Sequence, residues 1–329
     1  MHTVVAVRLA DATWSAPTPD CAAALAPGAD ELAPDVAATA KYAVTVTSGQ
    51  ATYLDRIVDA HRAAAALDAR PLEALIESAK HLTEPTRGFR KALEAPGLSV
   101  IAEIKRRSPS KGALNADLDP AEVARSYELG GAACLSVLTD EAHFGGSRAD
   151  LRAARTATAL PVLRKDFTVS AADVCDARLM GADCVLLIAA ALTDAELGSF
   201  HELAVSVGLD ALVEIHDERE LARALAVGAN LIGVNQRDLH SFAVDHDRAR
   251  RVGRAIPEHV VRVAESGVRG PSDAASLAEA GFDAVLVGES LVTAADPAKA
   301  VAELLHAGAR PAAVDAASDD MGSLDAARQ

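Results

Sequence analysis

Between Leu98 and His306 the chain alternates short apolar runs with longer amphipathic stretches. The runs are SVIAEI (99–104), ACLSVL (133–138), LPVLRK (160–165), DCVLLI (183–188), DALVEI (210–215), NLIGVN (230–235), VVRVAES (260–266) and DAVLVG (283–288). They are rich in Val, Ile and Leu and bounded by glycine or polar residues, the pattern of a strand buried on both faces. The intervening stretches have the length and apolar spacing of helices. Four runs share a lead-in, GGAACLSV, MGADCVLL, VGANLIGV and AGFDAVLV, in which a glycine ends the preceding helix in the left-handed conformation. Helix starts are marked at Asp119-Pro120, Thr193-Asp194 and Pro271-Ser272-Asp273 by capping or first-turn residues.

Eight such units in series predict an α/β protein of the closed (βα)8 TIM-barrel type. An open doubly wound sheet is disfavoured, because no G-x-G-x-x-G follows the first run. Upstream, Leu54, Ile57, Val58 and His61, then Leu72, Leu75 and Ile76, recur at helical spacing and predict two extra N-terminal helices. Residues 1–48, rich in Ala, Pro, Asp and Thr, read as a flexible extension, 49–308 as a single barrel with leading helices, and 309–329 as a disordered tail.

Composition narrows the function. The 329 residues are 50% hydrophobic and carry a formal charge of −15, so the chain can bury a large core and lacks the basic balance of a nucleic-acid binder. No apolar run approaches the ~20 residues that span a bilayer, and the N-terminus has no signal-peptide pattern, which together point to the cytoplasm. Cys21, Cys134, Cys175 and Cys184 form no C-x-x-C pair and read as inert thiols, mostly in the core. His61, His143, His201, His216, His240, His246 and His259 are scattered and predict surface or core roles; no cluster has metal-ligand spacing.

The polar residues that matter lie at the C-terminal ends of the predicted strands, where barrels of this type place their sites. Side chains two apart share a face. Ile101, Glu103 and Lys105 therefore point the same way, as do Leu163 and Lys165, Leu212 and Glu214, Gly233, Asn235 and Arg237, and Val263 and Glu265. Charges ending five of eight apolar runs are hard to explain as packing. Two lysines and three carboxylates in one mouth predict proton exchange, with charge and burial moving both types toward neutral pH. Ser266-Gly267 and Gly288 follow strands seven and eight, the usual phosphate position. Arg237 offers a planar fork for a carboxylate or phosphate. The basic loop Arg106–Gly112 reads as a mobile lid. The expected partner is a small phosphorylated anion.

These residues also carry a resemblance. IAEIKRRSPSKG, SVLTDEAHFGGS, VLRKDF, ALVEIHDEREL, IGVNQRDL, RVAESGV and VLVGESLV, in order between residues 53 and 308, closely resemble the indole-3-glycerol-phosphate synthase family of tryptophan biosynthesis. The resemblance implies conversion of 1-(2-carboxyphenylamino)-1-deoxyribulose 5-phosphate to indole-3-glycerol phosphate with loss of CO₂ and water, without a cofactor or metal. By matching position, Lys165 is the general acid of ring closure, and Glu214 and Glu103 serve dehydration. Lys105 is a candidate second acid near the substrate phosphate or carboxylate. Asn235 would hold Glu103 and the intermediate, with Arg237 and the lid serine Ser108 near the carboxylate. Phe144, Phe167 and Leu239 match positions that grip the anthranilate ring. Glu265 and Ser266 line the pocket, with Ser266, Gly267 and Gly288 at the phosphate. The resemblance leaves residues 1–48 additional, as a real extension or as a start placed upstream of Val44 or Val46. Barrels of this family are commonly monomers. The alternatives are phosphoribosylanthranilate isomerase, which wants Cys and Asp where Glu103 and Asn235 stand, and a non-catalytic phosphate-binding barrel.

Overall fold

A computed structural model describes residues 52–108, 111–237 and 243–309; the extension expected over 1–48 and nearly all of the tail expected over 309–329 lie outside them. The chain enters through helices α1 (Tyr53–Ala66), α2 (Leu72–Lys80) and α3 (Phe89–Ala92). Strands β1 (Ser99–Ile104), β2 (Cys134–Leu138), β3 (Val162–Lys165), β4 (Cys184–Ile188), β5 (Asp210–Ile215), β6 (Leu231–Asn235), β7 (Val261–Glu265) and β8 (Ala284–Val287) then pair in parallel, each with its sequence neighbours. β8 returns to β1 through Ser99↔Ala284 and Ala102↔Val287, closing the barrel. Each lies within two residues of a predicted run.

Helices α4 (Pro120–Leu129), α5 (Glu141–Phe144), α6 (Arg148–Ala157), α7 (Ala171–Leu179), α8 (Asp194–Ser206), α9 (Glu218–Ala226), α10 (His246–Gly253), α11 (Pro271–Glu279), α12 (Glu289–Val292) and α13 (Pro297–Ala307) fill the outer layer and the strand ends. The predicted punctuation is in place. Asp119 and Thr193 accept N–H bonds from the first turns of α4 and α8, and Gly131, Gly181, Gly228 and Gly281 sit at positive φ just after α4, α7, α9 and α11. The strands are buried on both faces because helices cover one and the barrel interior the other. The inner face carries Ile101, Cys134, Leu163, Leu186, Leu212, Leu231, Val263 and Leu286 in one apolar cluster.

That cluster is closed from below by α3, which the pattern of the sequence did not mark. Phe89 and Leu93 are fully buried in the barrel interior. The N–H of Arg90 bonds to Asp210 and that of Arg87 to Asp183, carboxylates at or just before the starts of β5 and β4. The bottom is thus stoppered by apolar rings, and only the top of the interior is left for polar groups. Cys134, Cys175 and Cys184 are buried free thiols, as expected, and burial pushes each thiol up.

Candidate active site

Continuing each inner face upward brings the predicted side chains into a cavity of about 850 Å³. Glu103, Lys105, Lys165, Glu214, Asn235, Arg237, Glu265, Ser266, Gly267 and Gly288 all line it, together with Ser108, Phe144 and Phe167. Leu239 lies outside the described residues.

Two ion pairs face each other across the mouth. Lys105 Nζ lies 2.6 Å from Glu103 Oε1, whose other oxygen accepts from Ser136 at 3.5 Å. Lys165 Nζ lies 3.4 Å from Glu214 Oε2 and 3.9 Å from Glu265 Oε2. Gly288 makes room for the first pair: a Cβ there would stand 2.5 Å from Glu103 Oε1 and 3.1 Å from Lys105 Nζ.

The charges do not all move toward neutrality. Burial acts to lower Lys165, but the facing carboxyls, Glu214 foremost, outweigh it and raise the ammonium above its ordinary value. Burial acts to raise Glu214, yet Lys165, His216 and the Asn235 amide hold it below the usual range. Glu265 follows the expectation. Burial and the neighbouring Glu214 charge push it well above the ordinary carboxyl value, and the two carboxyls share a hydrogen bond. Within the triad the shifts thus favour a protonated Lys165 and an ionised Glu214, and Glu265 holds its proton more tightly than an ordinary carboxyl.

Asn235 corrects one expectation. Its Nδ2 donates to Glu214 Oε1 at 3.0 Å, not to Glu103. β6 neighbours β5 and β7, whereas β1 lies beyond both β7 and β8 by the shorter way round the barrel. Asn235 Oδ1 accepts the N–H of Arg237 at 3.0 Å, which ties the end of β6 to the same carboxylate. Ser266 and Gly267 follow β7 at φ 66° and 77°, and Ser266 is the one non-glycine at positive φ among the described residues, a strained turn at the mouth. Gln236 Nε2 holds it through the Ser266 carbonyl at 2.8 Å.

Several residues beyond the predicted set shape the site. His216, two positions beyond Glu214 and so on its face, places Nε2 3.9 Å from Glu214 Oε1 and Nδ1 3.1 Å from Glu220. Asp166 is buried. It accepts from Arg164 Nη2 at 2.9 Å, from the Thr139 hydroxyl and from the Phe167 N–H at 2.9 Å, which fixes the ring of Phe167 beside Phe144. Tyr53, Leu54 and Ile57 of α1 line the same cavity, so the leading helices are part of the site. The basic loop is tied down at its root, where Arg106 pairs with Asp150 and Arg107 bonds to the His143 carbonyl, and its residues 107–108 pair antiparallel with 112–113. Lys111 reaches Glu289 at 3.5 Å across the mouth.

A closed parallel barrel whose C-terminal mouth holds proton-bearing lysines and carboxyls over an apolar interior defines a TIM-barrel enzyme of acid/base chemistry. The family model described as indole-3-glycerol phosphate synthase matches residues 54–304. A protein of that name from Mycolicibacterium vanbaalenii is 51% identical over 242 residues, covering 73% of this chain and 89% of the relative. Another from Streptomyces griseus is 53% identical over 237 residues, covering 71% and 88%. Among solved structures, 3-hexulose-6-phosphate synthase shares the fold at a TM-score of 0.52 and 19% identity, covering 64% of this chain and 99% of that one. The chain belongs to the indole-3-glycerol phosphate synthase family, carboxy-lyases of tryptophan biosynthesis. No helix among the described residues is long and apolar enough to cross a membrane.

Proposed function

We propose that this chain converts 1-(2-carboxyphenylamino)-1-deoxyribulose 5-phosphate to indole-3-glycerol phosphate, with Lys165 as the acid of ring closure. The observation that carries the role is the Lys165 ammonium, half-buried 3.4 Å from the Glu214 carboxylate and 3.9 Å from Glu265, a setting that holds its proton. It gives its proton to the substrate carbonyl oxygen as the aromatic ring carbon attacks. Loss of CO₂ then relieves the dearomatised intermediate. Glu214, ionised and oriented by Asn235, and Glu103, paired with Lys105, serve the dehydration. Rigid strands supply orientation, which for a folded-back substrate is a large part of the barrier.

Binding follows the same map. Phe144 and Phe167 flank the anthranilate ring, Arg237 and Ser108 take the carboxylate, and the Ser266-Gly267 turn with Gly288 takes the phosphate. Arg106–Gly112 closes over the bound substrate. The chain acts as a monomer, which fits large exposed apolar side chains as scattered as Leu67, Leu129 and Val205 at the ends of different helices. Isomerase chemistry based on Cys and Asp is disfavoured, because Glu103 and Asn235 occupy those strand ends. The test is direct: purified protein is given the carboxyphenylamino-deoxyribulose phosphate and indole fluorescence is followed. Turnover is expected, and its absence overturns the reading.

A further inference from the structure

Behind the Phe144–Phe167 wall, His61 of α1 converges with Asp140 and His143, three residues apart at the start of α5, outside the catalytic ring. His61 Nε2 on α1 lies 2.9 Å from Asp140 Oδ2, and His143 Nδ1 on α5 lies 3.1 Å from the same oxygen. All three atoms fall within 4.8 Å of one another. Sequence spacing hid the group, because closure of the barrel and the docking of α1 are needed to assemble it.

We propose that His61, Asp140 and His143 bind one divalent transition ion of the zinc type, clamping α1 to the barrel mouth. Two imidazole nitrogens and one carboxylate oxygen are a borderline donor set, suited to Zn²⁺ or Co²⁺ and poor for Mg²⁺ or Ca²⁺, which want oxygens. At metal–ligand distances of about 2.0–2.2 Å, tetrahedral ligands stand roughly 3.3–3.6 Å apart, so small ring rotations admit an ion between these atoms. Three protein ligands leave a fourth position for water.

The ligands are held in place. Asp140 is the N-cap of α5, and its Oδ1 accepts the N–H groups of His143 and Phe144, which turns Oδ2 toward both imidazoles. The His61 ring packs on Phe167 with centroids 5.3 Å apart, and Tyr53 meets the His143 ring edge-on at 6.1 Å. A second carboxylate oxygen, Asp166 Oδ1, lies 3.9 Å from His61 Nε2 and adds negative charge. Asp140 is 3% exposed while the two histidines are 23% and 26% exposed, so an ion can reach the site from solvent. Because α1 also carries Tyr53, Leu54 and Ile57 of the cavity wall, an ion here fixes that wall to the β2–α5 segment.

The test uses the full chain, stripped with a chelator and titrated with Co²⁺ as a spectroscopic probe and with Zn²⁺ by calorimetry. One ion per chain is expected, with visible d–d absorption and a raised melting temperature. His61→Ala and His143→Ala should each weaken binding by about tenfold or more. Asp140→Asn, which keeps the N-cap, should do the same with the fold intact. No saturable one-to-one binding at micromolar metal overturns the proposal. Unchanged affinity in Asp140→Asn, or in a folded His61→Ala/His143→Ala double variant, overturns it equally.

Discussion

The Cβ that Gly233 lacks would stand 2.0 Å from Glu265 Oε1. Gly233 pairs with Glu214 on one side and Val263 on the other, so a residue without a side chain opens the space into which the Glu265 carboxyl folds. Gly233→Ala is expected to expel Glu265 and disturb Glu214 and Lys165 with it. The predicted result is a fall in kcat of tenfold or more and, as for other overpacked cores, a stability loss of about 1–3 kcal/mol. Steady-state kinetics with urea denaturation checks it; wild-type values in both would show that the carboxyl does not need the gap.

Lys165→Ala removes the one cation within 4.0 Å of both Glu214 and Glu265 among the described residues. Groups that transfer a proton in the transition state are worth roughly 10²–10⁴-fold. Turnover should fall by that much while substrate affinity, carried by Arg237, the aromatic wall and the phosphate turn, is largely kept. Single-turnover kinetics and substrate titration separate the two. More than a tenth of wild-type turnover remaining would rule out Lys165 as the essential acid.

The barrel and most of its charged ring were legible in the sequence for one physical reason. A strand buried on both faces leaves a continuous apolar run, and period-two parity then tells which terminal charges point inward, as for Glu103 after Ile101 and Glu265 after Val263. Features that depend on tertiary closure were not legible. Asn235 bonds Glu214 and not Glu103 because of strand order, which parity does not contain. His61 and His143 read as scattered, yet they share Asp140. His216 could have been found, since it continues the parity of Leu212 and Glu214. The direction of the Lys165 shift required knowing which carboxyl groups surround it.

Helix α3 was missed because four residues show no period, and its Phe89 gives a stability prediction independent of the chemistry. The ring is fully buried at the bottom of the barrel interior. Phe89→Ala should cost about 3–5 kcal/mol, by loss of transfer energy and by the cavity left. Because the site lies at the opposite end, kcat of the folded fraction should change little. A denaturation midpoint within error of wild type would show that the plug adds nothing to stability.

Glu265 makes stability depend on pH in a defined direction. Its carboxyl is held well above the ordinary value of 4.5 in the folded chain, so between those two values the native state binds a proton that the unfolded state has lost. Stability from this group is therefore fully present below about pH 4.5 and declines as pH rises toward the folded value. Glu265→Gln keeps the shape and the neutral charge while removing the titration. The variant should be more stable than wild type at pH 8 and should lose that advantage toward pH 5, read from urea midpoints at both. Gln mimics the protonated form that burial favours at Glu265, so this variant should also keep a larger share of turnover than Glu214→Gln, which removes the carboxylate beside Lys165. An advantage of equal size at pH 5 and pH 8 would mean that Glu265 is ionised in the folded enzyme.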